Sequence, residues 1–484
     1  MQISEPLWTA SECELILGAK STVNWYASGV HTDSRTVVPG DIFVALRGAK
    51  MNGHDYVMDA FKRGAVAAVV DSVPEQISMS DHRLLYVENT EKALKKLAVS
   101  SRKRMPGQVV AVTGSVGKTS VVQALRSALE RSGPAHSSIK SFNNHIGVPL
   151  SMARMSKNCR FGVFELGMSG AGEIAPISEI VSPDVAIVTA IGAAHLQAFD
   201  SLEAIAEEKA SVFKSVKAGG SAVIGMDHDH ADLLCQRAKE AGLTVIRVGF
   251  DDSCDIYPLK ISSHADCSCI TLRLDDQLMT IKINQPGREW VLNGMLVMAA
   301  VMAVGGDLAQ AGLSLAGLQA ERGRGRLYVL PFERGDLTLQ DDSYNANPLS
   351  MRAALKRFAQ VPKQPQQKQI AVLADMAELG ADSLEKHLEL EGDIRAAGFH
   401  EILTVGPEMQ AAAQATGVPV VSFDHVGEVI EYLDKSLTGM ERLFVKGSNG
   451  AGLMQLVDHL VILSRQQSRY QAVSKRQQAE LAGA

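Results

Sequence analysis

Six cysteines (Cys13, Cys159, Cys235, Cys254, Cys267 and Cys269) are scattered without a repeated spacing, so no disulfide framework is expected. Reduced thiols in a reducing compartment suit this pattern. His264 with Cys267 and Cys269 is the only metal-like grouping, and strand alternation through SCITLRL accounts for the two cysteines as neighbours on one face. The longest apolar run, Met295 to Val304, is too short to span a bilayer. The opening MQISEPLWTA has neither Lys nor Arg and no apolar core, so no export signal is read there and a cytoplasmic chain is expected. A net charge of −6, from 48 Lys+Arg against 54 Asp+Glu, offers no basic stripe for nucleic acid. Small-molecule partners are expected instead. No repeat at a solenoid period is seen.

What remains is an ordinary globular composition, 46% hydrophobic and 21% charged. At 484 residues the chain is long enough for about three domains of roughly 150 residues each. Short apolar runs, DIFVAL, AVAAVV and RLLYVE, mark a small N-terminal α/β unit, 1–105. The basic SRKRMPG reads as a linker before the strand QVVAVTG. Strands and helices then alternate through FGVFELG, DVAIVTAIG, SLEAIAEEKASVFKSV and SAVIGM, which predicts a mainly parallel sheet covered on both faces over 106–322. Polar and apolar residues alternate from Ile256 to Ile283 as in an added antiparallel patch, and a helix is predicted over Trp290 to Val304. A second doubly wound series, LTLQDDSY, IAVLADM, EILTVG, VPVVSF and RLFVKGS, occupies 323–484 and begins near the Gly/Arg-rich RGRGR. The polar stretch from Arg465 reads as a partly frayed helix.

The strongest chemical signal is VVAVTGSVGKTS, a strand running through Gly114, Ser115, Val116, Gly117, Lys118, Thr119 and Ser120 into a helix. Its glycines allow backbone N–H groups to turn toward phosphate oxygens. Lys118 supplies positive charge to the outer phosphates of a triphosphate, and Thr119 offers a hydroxyl to magnesium. The position five before Gly117 is Val112, where the general loop pattern has glycine.

Downstream, SFNNHIGVPL, FELGMSGAGEI, IGAAHLQAF, EKASVF, DDSYNANPLSM, LADMAELG and VKGS follow in order, after an N-terminal DSRTVVPGDIFVALRGAKMNGHDY. With the phosphate loop, this series resembles the Mur ligase family over nearly the whole chain. The resemblance implies three domains: an N-terminal α/β domain for the UDP end of a precursor, a central P-loop ATPase domain, and a C-terminal Rossmann-like domain closing over ATP and the incoming amine. The implied reaction is ATP-dependent joining of a carboxylate to an amine through an acyl phosphate, in peptidoglycan precursor synthesis. DDSYNANP favours the branch that adds D-alanyl-D-alanine to UDP-N-acetylmuramoyl-tripeptide, and no DNPR-like string of a diaminopimelate-adding relative is present. A monomer is expected.

Residue by residue, the resemblance implies that Lys118 binds the outer phosphates and that Thr119 and Glu165 hold a magnesium ion. His195 and a carbamylated Lys209 would hold a second. Asn293, Arg324 and Asp342 match ATP contacts, the last to the ribose. Ser34 and Arg35 match uridine-nucleotide contacts, and Asn143, Asn144 and His145 match the segment facing the precursor. Asn345 and Asn347 match contacts near the closing cleft, and Lys446, in VKGS, ends a strand at that expected cleft. The chain departs from the family pattern at Ala190, Glu289 and Asn449, where Asn, His and Arg are usual. Two other readings stay open: another Mur or folylpolyglutamate-type ligase, and a P-loop nucleotide-dependent binding protein that ligates nothing.

Overall fold

The computed structural model describes residues 5–21, 23–73, 77–78, 81–138, 141–332, 334–361 and 367–467. The chain forms two compact units, Met1–Ala190 with Ile205–Tyr257 and Gly294–Ser314, and Ile191–Ala204 with Pro258–Asn293 and Leu315–Ala484.

The first unit contains two parallel sheets. In the smaller, β1 (Gly29–His31), β2 (Asp41–Val44), β3 (Ala67–Val70) and β4 (Leu84–Tyr86) lie side by side in chain order. Helix α1 (Thr90–Arg104) follows, started by Asn89, whose side chain accepts from the Lys92 amide. The expected linker SRKRMPG is shorter in the structure, because Ser101–Arg104 form the last turn of α1. Basic residues are favoured there by the carbonyl end of the helix dipole. Arg102 is also buried, donating to Asp184 at 2.7 Å and to the Ser182 carbonyl.

The strands of the larger, nine-stranded sheet that lie wholly in this unit are β5 (Gln108–Thr113), β6 (Ala135–Ser137), β7 (Phe161–Glu165), β8 (Val185–Val188), β9 (Ser221–Gly225) and β10 (Thr244–Val248). Their order is β10-β9-β8-β5-β7-β6, all parallel. Val109 to Val112 are fully buried, as a continuous apolar run requires when helices cover both faces. Helix α2 (Lys118–Glu130) leaves the carboxyl end of β5.

In the second unit, β11 (Ile256–Ser263), β12 (Ser268–Leu274) and β13 (Gln277–Ile283) neighbour one another in order, and the β12–β13 pair is antiparallel, as the alternation predicts. A six-stranded sheet takes the order β14-β15-β19-β16-β17-β18, from β14 (Arg326–Pro331), β15 (Asp336–Asp342), β16 (Gln369–Ala374), β17 (Glu401–Val405), β18 (Val420–Phe423) and β19 (Arg442–Lys446). Only β14 runs antiparallel to its neighbour. A helix covers residues 454–467, so the predicted helix from Arg465 begins within it and otherwise lies outside the described residues.

All six cysteines are free thiols, five of them buried. Burial pushes the Cys13 thiol up to about 12. No helix among the described residues is long and apolar enough to cross a membrane.

His136, on the edge strand β6, donates from Nε2 to the Ser151 carbonyl, and burial pulls its pKa down to about 4. The neutral ring is therefore favoured in the folded chain. Its stabilisation is complete above the unfolded value near 6.5 and is lost as pH falls toward 4. This group contributes a slope of at most about 1.4 kcal/mol per pH unit in that window. Urea midpoints measured at pH 7 and pH 5 should fall less for His136→Gln than for the natural chain.

Candidate active site

The phosphate loop follows from where β5 ends. Gly114 has φ 144° and Gly117 has φ 84°. A Cβ on Gly114 would sit 2.0 Å from Thr189 Oγ1, so glycine is required by space as well as by conformation. The Ser115 amide donates to the Ala190 carbonyl at 2.7 Å, and Thr189 Oγ1 donates to the Val116 carbonyl at 2.5 Å. The end of β8 thus braces the loop. Gly117 sits at the N-cap of α2 and has no capping side chain, leaving first-turn N–H groups for an anion. Lys118 Nζ donates to the Gly114 carbonyl at 2.7 Å, which folds the ammonium over the loop.

Beside the loop, Thr119 Oγ1 donates to Glu165 Oε2 at 2.7 Å. Asn143 Nδ2 donates to Glu165 Oε1 at 2.8 Å. Glu165 ends β7, adjacent to β5, and is 2% exposed. Parallel pairing therefore brings a carboxylate and a hydroxyl that lie far apart in sequence to one sheet end. The Asn143 carbonyl also accepts from Gly167 N at 2.8 Å, and a Cβ on Gly167 would collide with the Asn143 side chain.

Lys209 lies near the end of helix α3 (Leu202–Ala210) and is only 1% exposed. Burial pulls its amine far below the ordinary lysine range; Lys118 adds repulsion, and Glu208 opposes it. Glu208 is itself engaged, accepting from the amides of Gly172 and Ile174. Lys209 is thus a sealed amine disposed to be neutral.

Of the other sequence-selected residues in this unit, Ser34 and Arg35 form a short turn after β1, Ser34 buried and Arg35 exposed in a fork with Asp33. Asn144 Oδ1 accepts from Gly147 N at 2.8 Å, and His145 is exposed. Ser120 is half-buried in the first turn of α2.

The second unit carries the remaining candidates. His195 has φ 62° and pairs through Nδ1 with Glu378 at 2.5 Å. Arg324 stacks on the Tyr344 ring at 4.1 Å. The adjoining Gly323 donates to Asp341 Oδ2 at 2.7 Å. Asp342 and Lys446 are register partners at the ends of β15 and β19. Lys446 is 4% exposed; burial lowers its pKa to about 8, and its Nζ donates to the Asn345 carbonyl at 2.9 Å. Asn347 caps helix α5 (Pro348–Gln360) in a reciprocal box with Ser350. Asn293 is half-buried on helix α4 (Arg288–Ala303). Sequence reasoning missed Arg357, on α5, which joins Asp342 and Glu289 in one buried ion network. Thr189 was missed as well. The departure at Glu289 was the only available signal for the network.

Residues 112–301 match the Mur ligase middle domain, 325–449 the Mur ligase glutamate ligase domain, and 27–102 the Mur ligase family catalytic domain. The UDP-N-acetylmuramoyl-tripeptide--D-alanyl-D-alanine ligase of Escherichia coli (strain K12) is 32% identical over 434 residues, 88% of this chain and 92% of the relative. The chain belongs to the Mur ligase family. Among solved structures, this Mur ligase resembles MurF from Acinetobacter baumannii with a TM-score of 0.80 at 26% identity, over 94% of this chain and 98% of that one. It shares the fold of Thermotoga maritima MurF, determined in complex with ADP, with a TM-score of 0.75 at 24% identity over 91% and 98% of the two chains.

Gly114→Ala should displace Thr189 and weaken ATP binding by about tenfold or more, equivalent to at least about 1.4 kcal/mol. Gly18, with φ 72° and nothing near its Cβ direction, is the control. Gly18→Ala should cost about 1 kcal/mol of stability through its left-handed backbone while leaving nucleotide affinity unchanged. Calorimetric titration with ATP, beside urea unfolding, checks both.

Proposed function

We propose that this chain ligates D-alanyl-D-alanine to UDP-N-acetylmuramoyl-tripeptide in an ATP-dependent reaction of peptidoglycan precursor synthesis. The observation that carries this reading is the group formed by half-buried Lys118 with buried Thr119, Glu165 and Lys209 at the carboxyl end of the parallel sheet. A nucleotide switch needs the loop but has no evident use for a sealed, repelled lysine. The full-length likeness to ligases of this specificity supports the dipeptide as the amine.

The γ-phosphoryl group moves to the free carboxylate of the tripeptide, making an acyl phosphate and releasing ADP. The dipeptide amine attacks the acyl carbon, a C–N bond forms, the C–O bond to phosphate breaks, and the surplus amine proton goes to solvent. Lys118 and the N–H groups opening α2 hold the outer phosphates, and the brace from Thr189 keeps the loop from relaxing as charge moves. Thr119 Oγ1 and the Glu165 carboxylate are buried hard-oxygen donors of the kind that hold magnesium through a few protein contacts. Bound magnesium would offset repulsion between the phosphates and the attacking carboxylate. Asn143 fixes the Glu165 carboxylate from its other oxygen.

Lys209 fits a second charged role. A neutral amine reacts with carbon dioxide, forming an N–C bond and losing a proton, which gives a carbamate whose negative oxygens suit a cation that His195 also serves. On this reading Ser34, Arg35, Asn143, Asn144 and His145 receive the UDP precursor. Asn293, Arg324 and Asp342 receive the nucleoside of ATP, and Asn345 and Asn347 meet the dipeptide. Domains over 1–105, 106–322 and 323–484, a cytoplasmic location and a monomeric state complete the proposal.

Pure protein given ATP, magnesium, the UDP-tripeptide and D-alanyl-D-alanine should release phosphate only when the dipeptide is present. Release that ignores the dipeptide would favour a nucleotide-hydrolysing switch. Lys209→Met should lower turnover by about a hundredfold or more, as for loss of one charge-stabilising group. In 13C-bicarbonate the natural chain should show a carbamate carbon resonance that is missing from Lys209→Met.

A further inference from the structure

Arg357 is a nearly buried guanidinium that the reaction scheme leaves unused. Its Nη2 donates to both carboxylate oxygens of Asp342, at 2.9 Å to Oδ1 and 2.7 Å to Oδ2. Its Nη1 donates to Glu289 Oε1 at 2.7 Å. Gly325, with φ 88°, lies so close that a Cβ there would come within 2.8 Å of Nη2. One side chain therefore touches the Gly/Arg-rich loop, the end of β15 and the first turn of α4. Each of those segments carries a residue assigned above to ATP: Arg324, Asp342 and Asn293. Glu289 and Asn293 are four residues apart on α4 and share a face.

The acceptor count at Asp342 is informative. An ionised carboxylate offers about four lone-pair sites. Oδ2 receives Arg357 and Gln340 Nε2, the latter at 3.0 Å, while among the described residues Oδ1 receives Arg357 alone. Burial would raise the Asp342 pKa, but Arg357 and Lys446 outweigh it and hold the carboxyl below its ordinary range. It is ionised, and one site on Oδ1 is left for a hydroxyl donor.

We propose that Arg357 is a positioning residue for the nucleoside half of ATP, holding Asp342 so that Oδ1 presents a single acceptor to a ribose hydroxyl while fixing the Asn293 face of α4 through Glu289. The inference rests on the ligase reading's assignment of Asp342 and Asn293 to ATP. A lysine at this position keeps the charge but not the planar fork that reaches two carboxylates at once.

Calorimetric titration of the full chain with ATP, 2′-deoxy-ATP and 3′-deoxy-ATP in magnesium tests it. The natural chain should bind ATP more tightly than at least one deoxy analogue. Arg357→Lys should weaken ATP by about tenfold and bring the three nucleotides within about twofold of one another, the size of a lost contact network. Glu289→Gln, which spares the Arg357–Asp342 contact, should weaken ATP by only about threefold and keep the preference. Equal binding of all three nucleotides by the natural chain would overturn the proposal. So would an Arg357→Lys variant that melts earlier yet binds and discriminates as before. Should that variant not fold, unchanged ATP affinity in Glu289→Gln overturns it instead. Because binding is read without dipeptide, failure of dipeptide-dependent turnover would count against the ligase reading and leave this measurement standing.

Discussion

Two lysines near one another at a glycine-rich loop suited to phosphate form an arrangement that folding alone would not favour. Lys118 must remain charged to meet phosphates, and Lys209, sealed from water, feels that charge as repulsion. Burial of an unpaired ammonium is costly enough that the group gives up its proton instead. The remainder of the first unit is consistent with serving that constraint. Glu208 is occupied with backbone amides, Glu165 is occupied with Thr119 and Asn143, and neither neutralises Lys209 directly. Positive charge is thus concentrated where polyphosphate is expected, and a neutral amine is kept where a negative group is of use.

Strand pairing explains how the chain reaches this state. Lys118 and Thr119 follow β5, Glu165 ends the neighbouring β7, and Thr189 follows β8 on the other side. Functional groups at a carboxyl sheet edge are the usual outcome of a doubly wound topology. The second unit repeats the pattern with Asp342, Lys446 and Asp375 at or just past the ends of β15, β19 and β16. There the charges neutralise one another, with Asp342 against Arg357 and Lys446, so that unit carries a nearly balanced polar cluster where the first carries a surplus.

Much of this was legible in the sequence. Continuous apolar runs located the parallel strands, alternation located the β12–β13 hairpin, and the glycine pattern located the loop. These signals are local, set by side-chain period and backbone freedom. Pairings made by topology were not legible. Nothing in EEKASVFK distinguishes a buried lysine from a solvated one, and Arg357 reads as one more polar residue on an amphipathic helix. The basic SRKR was misread as a linker because charge near Pro and Gly looks like punctuation, while the deciding fact, the Arg102–Asp184 pair, spans distant sequence. Asn143 was selected for the precursor, but its bond to Glu165 ties that segment to the phosphate site in a way spacing does not reveal.

The buried thiols have a further consequence. With Cys13 raised to about 12, and Cys159, Cys235, Cys254 and Cys267 also raised by burial, almost no thiolate exists at these five positions at neutral pH. Alkylating reagents and mild oxidants act on thiolate, so they gain access chiefly when structure opens. Each of these five cysteines therefore serves as a built-in clock for the opening of its own neighbourhood, and Cys13, on the buried face of the helix Ala10–Leu17, times the release of the first elements of the chain.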